Sequence, residues 1–393
     1  MLDFTWAWAG PQAGLILALM GAEVIKVESR RRLDHSRLRS LVAGPMVGPD
    51  SSFIFNTLNL NKLSVTLNLS EPRAVEIAKA IVKISDVVME NMRPGVMDRL
   101  GLGYQALRQV KPDIIMLSSS AVGGTGPERS YTGYAPTFAA MGGLAYITGR
   151  PGGRPAPLMG SIDLRVGSTS AFAVLAALYY HKRTGKGQYI DLSSAEAVSA
   201  LMGDVFLDYS MNRRVPPRMG NRSKFMAPHG CYRSKGENQW VSIAVGSEEE
   251  WQALCETIGD KRLIEDERFA DCLSRWQNQE ALDAVIGEWT SAHDQREIVE
   301  TLQSAGVAAM PVYDGPSLVQ DEQVKARGTL TPVEHPLMGE KMVVAPMWRL
   351  SKTPAEIRRH GPLLGQDNEY VLGGLLGMSR DEIDKLTEEQ VLY

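Results

Sequence analysis

The first 120 residues alternate between short apolar runs and segments with helical periodicity. Ala74, Ile77, Ala78 and Ile81 recur at i, i+3, i+4 and i+7, which predicts one buried face of an amphipathic helix. Alternation of strands and helices is typical of a parallel sheet covered by helices, so we predict a Rossmann-like α/β fold. The predicted strands cover residues 22–28, 64–68, 86–90 and 114–118, and a buried helix is predicted over residues 14–20.

Two helix starts carry specific expectations. Ser70 is predicted to cap the helix that follows, with Pro72 in its first turn. A loop rich in Gly and Pro over residues 149–160 precedes a long helix predicted over residues 166–180. Asp163 lies between this loop and the helix. From its position alone, Asp163 is most often an ordinary N-cap, but backbone amides could also hold it as a carboxylate facing a ligand.

A change in composition marks a second block of the chain. Residues 211–230 are basic and irregular, and a strand at 239–245 and a helix at 248–258 follow them. Charged helical sequence continues to about residue 305, and prolines become frequent from residue 311 onward. We interpret the block after the basic stretch as a smaller second domain.

Composition excludes several classes of function. The 393 residues include 42 Lys+Arg and 46 Asp+Glu, and a net charge of −4 argues against nucleic acid as a partner. Cys231, Cys255 and Cys272 lack CxxC spacing, and the six histidines are scattered, so we expect no metal site. The apolar stretch at residues 13–22 is too short to span a bilayer and lacks a basic segment before it. We therefore expect a cytoplasmic protein without a membrane segment.

Blocks of distinctive sequence recur from one end of the chain to the other. ENMRPGVMDRLGL covers residues 90–102, and GSIDLRVG covers residues 160–167. Others lie at residues 2–28, 61–69, 183–188, 220–222, 227–232 and 362–365. Together they resemble the class III CoA-transferases of the CaiB–BaiF type. That family includes formyl-CoA transferase and carnitine CoA-transferase, and the α-methylacyl-CoA racemases are its relatives.

The resemblance implies an enzyme that moves CoA from an acyl-CoA thioester to a free carboxylic acid. Asp163 matches the family's nucleophile, which forms an aspartyl anhydride and then an aspartyl-CoA thioester. A carboxylate suits this role because the anhydride keeps the acyl group activated. CoA thioesters are then substrates, and the resemblance implies no tightly bound cofactor and no metal.

Other roles follow from the resemblance position by position. Trp6, Trp8 and Tyr134 are expected on the acyl side of the site. Thr132 stands where the family has lysine, and Arg129 could replace that lysine. The CoA-binding positions of the family correspond to Arg37, Leu67, Asn91, Met92, Val96 and Arg99. Four further arginines near Arg37 could take its place, namely Arg30, Arg31, Arg32 and Arg39.

The resemblance also implies an architecture. A large Rossmann-like domain begins in residues 1–214, a smaller α/β domain covers residues 215–310, and residues 311–393 return to complete the large domain. Family members form dimers with interlocked chains, so we expect a homodimer or a hetero-oligomer with a related subunit.

Two alternatives remain at this point. A racemase would need a second acid–base residue facing the aspartate, and a histidine supplies it in the segment that here covers residues 133–136. No histidine occurs between His35 and His181, which disfavours a racemase. A non-catalytic subunit of a hetero-oligomer is the other alternative, and such a subunit would have no need of Asp163.

The acceptor is a separate hypothesis. A dicarboxylate keeps a second charge that a guanidinium can bind through two hydrogen bonds. We therefore hypothesise succinyl-CoA as donor and a succinate with a bulky or aromatic group as acceptor. The cations expected near the acyl pocket are Arg150, Arg154, Arg165, Arg213, Arg214, Arg218 and Arg222. The alternative is that these arginines face water or meet the CoA phosphates.

Overall fold

A computed structural model describes residues 1–38, 48–156 and 158–393 and divides the chain into two compact units. The first unit comprises residues 1–146, 156–215 and 327–393, and the second comprises residues 147–155 and 216–326. Residues 311–326, which we expected in the return segment, belong to the second unit here. The two units are defined by contacts within the chain. Whether the chain has independently folding domains with boundaries at residues 214 and 310 stays a prediction.

A parallel sheet organises the first unit. Among the described residues its order is β3-β2-β1-β4-β5-β6, and every neighbouring pair is parallel. This is the strand order of a Rossmann fold, as predicted. The strands are β1 (Leu2–Asp3), β2 (Ile25–Glu28), β3 (Leu63–Thr66), β4 (Val87–Glu90), β5 (Ile115–Ser120) and β6 (Tyr189–Ser193).

Helices cover both faces of this sheet. The buried face predicted around Ala74 and Ile81 is confirmed, because both side chains are fully buried in the core. The first part of the unit contains α1 (Ala9–Leu19), α2 (His35–Leu38), α3 (Phe53–Leu58), α4 (Pro72–Lys83), α5 (Val96–Arg99) and α6 (Tyr104–Val110). The helices that follow are α7 (Ala135–Met141), α8 (Leu144–Ile147), α9 (Ser161–Thr184), α10 (Ser194–Ser199) and α11 (Gly203–Asn212).

Two predicted helix starts are wrong in detail. Glu71, not Ser70, occupies the N-cap of α4, because Pro72 is already the first helical residue. Helix α9 begins at Ser161, five residues before the predicted start, and its N-cap is Gly160. Asp163 is therefore the third residue of the first helical turn and not an N-cap.

The second unit has its own antiparallel sheet. Its order is β7-β8-β9 in the described residues, with β7 (His229–Arg233), β8 (Trp240–Ala244) and β9 (Ala308–Pro311). Its helices are α12 (Glu248–Ile258), α13 (Arg262–Glu265), α14 (Cys272–Gln277), α15 (Gln279–Ala292), α16 (Gln295–Ser304), α17 (Gly315–Gln320) and α18 (Glu322–Ala326). The predicted strand at residues 239–245 and helix at residues 248–258 are confirmed.

The C-terminal part of the first unit is more regular than its prolines suggested. A hairpin of β10 (Leu330–His335) and β11 (Gly339–Val344) is followed by a π-helix over Glu369–Leu375 and by α19 (Arg380–Glu388). Buried Val371, Ile383 and Leu386 join the same core as β1 and β2.

Helix α9 packs closely on α1. A Cβ at Gly167 would lie 2.8 Å from the Ala9 carbonyl oxygen, so only glycine permits this approach. With 24 residues, α9 is also long and apolar enough to cross a membrane, and 39% of its most apolar window is buried. Core helices of soluble proteins pass the same test. The contact with α1 fixes Asp163, one turn before Gly167, against the start of α1.

Candidate active site

A large cavity lies at the carboxyl ends of β1 and β4. These strands are parallel neighbours, but the chain continues from β1 to β2 on one side and from β4 to β5 on the other side. In open α/β sheets, ligands bind at such a switch point. The cavity has a volume of about 750 Å³. The predicted site residues that line it are Trp6, Trp8, Leu67, Asn91, Met92, Val96, Arg99, Tyr134 and Asp163.

Among the described residues, two carboxylates line this cavity, Glu28 and Asp163. Glu28 is paired with the buried Arg37, so the carboxylate without a cationic partner is Asp163. No described residue donates a hydrogen bond to its side chain, and burial raises the pKa of Asp163 to about 6. Its place in the first turn of α9 favours a negative charge through the helix dipole, whereas burial disfavours it. A carboxylate whose oxygens have no protein partner is available as a nucleophile.

Aromatic side chains form one wall of the cavity. Trp6 and Trp8 lie on the loop between β1 and α1, and Tyr134 is the N-cap residue of α7. The Arg32 guanidinium lies over the Trp6 ring, with its central carbon 5.0 Å from the ring centroid. A cation therefore adjoins the aromatic wall.

Cations line the rest of the cavity. Arg99 ends α5, and Arg93 precedes the same short helix. Arg31 and Arg32 follow β2 and also line the cavity. No described carboxylate forms an ion pair with any of these four arginines, so their guanidinium groups are available to anions. The run Arg30–Arg32 in the sequence indicated Arg31 and Arg32, but Arg37 was the predicted CoA-binding residue in this segment.

The structure corrects the prediction for Arg37. Its side chain is fully buried and does not line the cavity. Its guanidinium donates two hydrogen bonds to Glu28, at 2.8 and 2.7 Å, and one to Asp50 at 2.6 Å. A further bond of 3.1 Å reaches the Pro362 carbonyl oxygen. Four of its five N–H donors are thus used, and the side chain is fully buried, so Arg37 is not accessible to a CoA phosphate. Arg39 lies outside the described residues.

Asn91 lines the cavity but has other partners. Its Oδ1 accepts a bond of 2.7 Å from the Trp6 amide, and its Nδ2 donates one of 2.8 Å to the Trp6 carbonyl oxygen. Both ends of the side chain are therefore occupied by the loop that carries Trp6. The role of Asn91 as a direct CoA ligand stays a prediction, and the two bonds to Trp6 give the side chain a second, structural task.

Several other expectations can be placed. Thr132 lines the cavity, whereas exposed Arg129 does not. His35 lines it as well and packs edge-on against Trp6, with 6.0 Å between ring centroids; sequence reasoning had assigned His35 no role. None of the seven arginines expected near the acyl pocket lines this cavity, and four of them belong to the second unit, namely Arg150, Arg154, Arg218 and Arg222.

A second perturbed carboxyl lies at the end of β4. Burial raises the pKa of Glu90 to about 7, although its carboxylate accepts hydrogen bonds from the Ser118 hydroxyl and the Met92 amide. Glu90 does not line the cavity. It orders the backbone between β4 and α5, and so supports Asn91 and Met92.

Comparison with known proteins identifies the family. The model of CoA-transferase family III matches residues 1–368. The chain belongs to CoA-transferase family III. It is 31% identical to the succinyl-CoA–L-malate CoA-transferase beta subunit of Chloroflexus aurantiacus, over all of this chain and 96% of the relative. It is 32% identical to the succinyl-CoA–D-citramalate CoA-transferase of the same organism, over 98% of this chain and 94% of the relative.

Solved structures agree with this assignment. A CAIB/BAIF family protein from Brucella suis superimposes with a TM-score of 0.86 at 29% identity, covering 95% of this chain and 97% of the other. The expected family resemblance, the α/β fold and the activity of an acyl-CoA:carboxylate CoA-transferase are thus confirmed. CoA thioesters are substrates of this class III CoA-transferase. Within the described residues, no group of three His, Cys, Asp or Glu side chains could hold a metal ion.

Proposed function

We propose that this CoA-transferase uses Asp163 as a covalent nucleophile and moves CoA from a dicarboxylic acyl-CoA to a dicarboxylate acceptor. The role of Asp163 as nucleophile is supported by one observation. Its half-buried carboxylate has no hydrogen-bond donor among the described residues and lies in a cavity lined by cations and aromatic rings. Membership of CoA-transferase family III gives the reaction class, and the position of Asp163 in the cavity supports its role as the nucleophile.

The chemistry balances around one carboxylate. An Asp163 oxygen attacks the thioester carbonyl and the C–S bond breaks. The acyl group is then joined to Asp163 as a mixed anhydride, and CoA leaves as its thiolate. The thiolate attacks the aspartyl carbonyl of the anhydride, which forms an aspartyl-CoA thioester and releases the donor acid. The acceptor carboxylate then attacks this thioester, and the thiolate returns to the acceptor carbonyl. Asp163 is regenerated, and no proton or electron is gained or lost.

Water must be excluded while the anhydride exists. Trp6, Trp8 and Tyr134 supply apolar surface in the same cavity as Asp163. Indole rings offer no nucleophile and bind few water molecules, so they protect the intermediate. Their size also argues against a one-carbon acyl group as the natural substrate.

The CoA moiety is assigned to the cationic part of the cavity. Arginine binds phosphate through a planar, two-pronged set of donors. Arg31, Arg93 and Arg99 are exposed cations without described acidic partners, and Leu67, Met92 and Val96 offer apolar contacts beside them. We assign the phosphates to the three arginines and the adenine to the apolar group.

Arg99→Ala is expected to raise KM for the CoA thioester and to leave kcat nearly unchanged. The loss of one charged hydrogen bond costs about 1.5–3 kcal/mol, or roughly 10- to 150-fold in KM. Steady-state kinetics with a fixed acceptor measures this. Arg108→Ala removes an exposed arginine of α6 that does not line the cavity, and it serves as the control. Equal effects of the two substitutions would remove Arg99 from the site.

The dicarboxylate is supported by the relatives and by one cation. The two relatives described above are named for succinyl-CoA with malate or citramalate, and all of these acids carry two carboxyl groups. Arg32 adjoins the aromatic wall at Trp6, where it could bind the second carboxylate of an acceptor. The seven arginines first considered no longer carry the hypothesis.

A substrate panel is expected to show at least about tenfold higher kcat/KM for dicarboxylates than for matched monoacids. Succinate and an aryl-substituted succinate are compared with butyrate and its aryl-substituted form, with succinyl-CoA as donor and mass spectrometry as readout. Arg32→Ala should reduce this preference, because the second carboxylate loses its partner. Equal use of the monoacids would refute the dicarboxylate proposal. A racemase would instead exchange an α-proton with heavy water in the absence of an acceptor.

Exposed apolar helices support an assembly of chains. Phe172 on α9 is 73% exposed and Met211 on α11 is 71% exposed, and α11 has no buried residue. Other large apolar side chains on the same two helices are also exposed, namely Leu175, Tyr179, Phe206, Leu207 and Tyr209, and clusters of such side chains are typical of contact sites. We assign this surface to a second copy of the chain, in line with the interlocked dimers of the family. Activity of the chain purified alone would distinguish a homodimer from a hetero-oligomer that needs a related subunit.

A further inference from the structure

The loop between β1 and α1 adopts a conformation that its sequence does not favour. It carries Trp6 and Trp8 into the cavity, and Ala7 between them has a φ of 68°. Residues with a Cβ seldom enter this left-handed region, and they remain there only when their surroundings impose it. The surroundings of this loop should therefore contain the groups that hold it.

Side chains from outside the loop occupy its backbone groups. Asn91 binds both the amide and the carbonyl oxygen of Trp6, at 2.7 and 2.8 Å. Asp34 Oδ1 accepts a bond of 3.0 Å from the Ala7 amide. The strained residue is thus held on one side by Asp34, and its neighbour is held at both polar groups by Asn91.

A buried ion pair supports this arrangement from below. The Asp34 and Lys26 side chains are fully buried and lie 3.0 Å apart. Lys26 also donates a bond of 2.6 Å to the Thr5 carbonyl oxygen, at the start of the loop. A Cβ at Gly10 would lie 2.4 Å from the Thr5 Cβ, so the first turn of α1 closes over the same segment. Few alternative loop conformations fit among these contacts.

We propose that Asn91 and Asp34 are positioning residues that hold Trp6-Ala7-Trp8 as a rigid wall and thereby set which acyl groups the transferase accepts. Asn91 acts on the loop and not on CoA. The activity readout of this inference rests on the proposed function, whereas the conformation of the loop can be measured without it. Asp34 is paired with a buried lysine, so its variants risk unfolding, and the test uses Asn91.

The first measurement is backbone amide exchange by NMR or mass spectrometry. In Asn91→Ala, the Trp6 amide loses its acceptor and the loop can relax at Ala7. Exchange at Trp6 and Ala7 is expected to be at least about tenfold faster than in the wild type. Asn91→Asp keeps an acceptor for the Trp6 amide and should show a smaller increase. Unchanged exchange in Asn91→Ala would overturn the proposal.

The second measurement separates positioning from CoA binding. Misplacement of the wall should lower kcat by about 10- to 100-fold and change the ratio of kcat/KM between succinate and its aryl-substituted form. KM for the CoA thioester should stay within about twofold of the wild type. A large rise of this KM with unchanged acceptor selectivity would make Asn91 a CoA ligand and contradict the proposal.

Asn61→Ala is the matched control. Asn61 also holds a backbone segment through both ends of its amide, at Arg358 and Glu356, but it does not line the cavity. Its substitution should speed exchange at residue 358 and leave Trp6, Ala7 and acceptor selectivity unaffected. Absence of CoA transfer in the wild type with every substrate pair would defeat the proposed function, and amide exchange would still decide the role of Asn91.

Discussion

Asp163→Ala is expected to abolish CoA transfer while the CoA thioester still binds. Without the carboxylate no anhydride can form, and the rate should fall by at least about 10³-fold, as expected for loss of a covalent nucleophile. Hydroxylamine added during turnover of the wild type should modify Asp163 alone, because only an activated aspartyl group reacts with it. Mass spectrometry of the digested protein identifies the modified residue. Transfer at the wild-type rate in Asp163→Ala would exclude this mechanism.

The pH dependence of the wild type follows from the same carboxyl. Burial raises the pKa of Asp163 to about 6, and only the ionised form attacks. Activity should therefore be constant above about pH 7 and fall roughly tenfold per pH unit well below 6. A limb near the ordinary carboxyl pKa of about 4 would show that substrate binding, and not the free site, controls the titration.

Asp163→Asn provides the folding control. The folded-state pKa lies above the unfolded one, so the ionised carboxylate destabilises the fold at pH values above about 6. This penalty disappears as the pH falls from about 6 towards 4, where the folded state is protonated. At pH 7.5 the amide carries no charge, so the variant should unfold at the same temperature as the wild type or higher. Loss of both activity and stability would point to a structural role.

The strands were predictable because buried parallel strands are short apolar runs. Strand β1 has only two residues and β6 lacks a buried N-terminal half, so neither produced such a run. The start of α9 was missed because Gly160 has no side chain to cap it, although its φ of 61° ends the preceding loop. Local signals thus determined the strands better than the helix ends.

The site was predictable where one short motif carries several contacts. Residues 90–102 leave β4 at the switch point, so Met92, Val96 and Arg99 reach the cavity together. The role of Asn91 depends on Trp6, 85 residues away, and no local pattern reports that contact. Arg37 is bound mainly by Glu28 and Asp50, which lie only 9 and 13 residues away but on other elements of the fold. No helical or strand spacing reports these contacts, so the sequence alone did not show which polar residues remained available to a ligand.

Arg37→Ala is expected to destabilise the protein without acting on CoA. Arg37 and Glu28 form a bidentate pair whose side chains are 0% and 1% exposed, and the guanidinium stacks 3.5 Å from the centroid of Phe55. Removing one partner of a buried pair leaves an uncompensated charge, which costs about 3–5 kcal/mol in the free energy of unfolding. Urea denaturation followed by circular dichroism measures this loss.

Two further variants show the cause. Replacing both partners, as in Glu28→Gln with Arg37→Met, removes the buried Glu28 charge and should recover part of the lost stability, since only the partly exposed Asp50 then lacks its cation. Arg31→Ala changes an exposed arginine that lines the cavity, so its stability should stay within about 0.5 kcal/mol of the wild type. Arg31→Ala should nevertheless raise KM for the CoA thioester. If Arg37→Ala instead kept its stability and lost CoA binding, Arg37 would belong to the CoA site. An arginine that serves only its buried partners cannot affect CoA binding without also affecting stability.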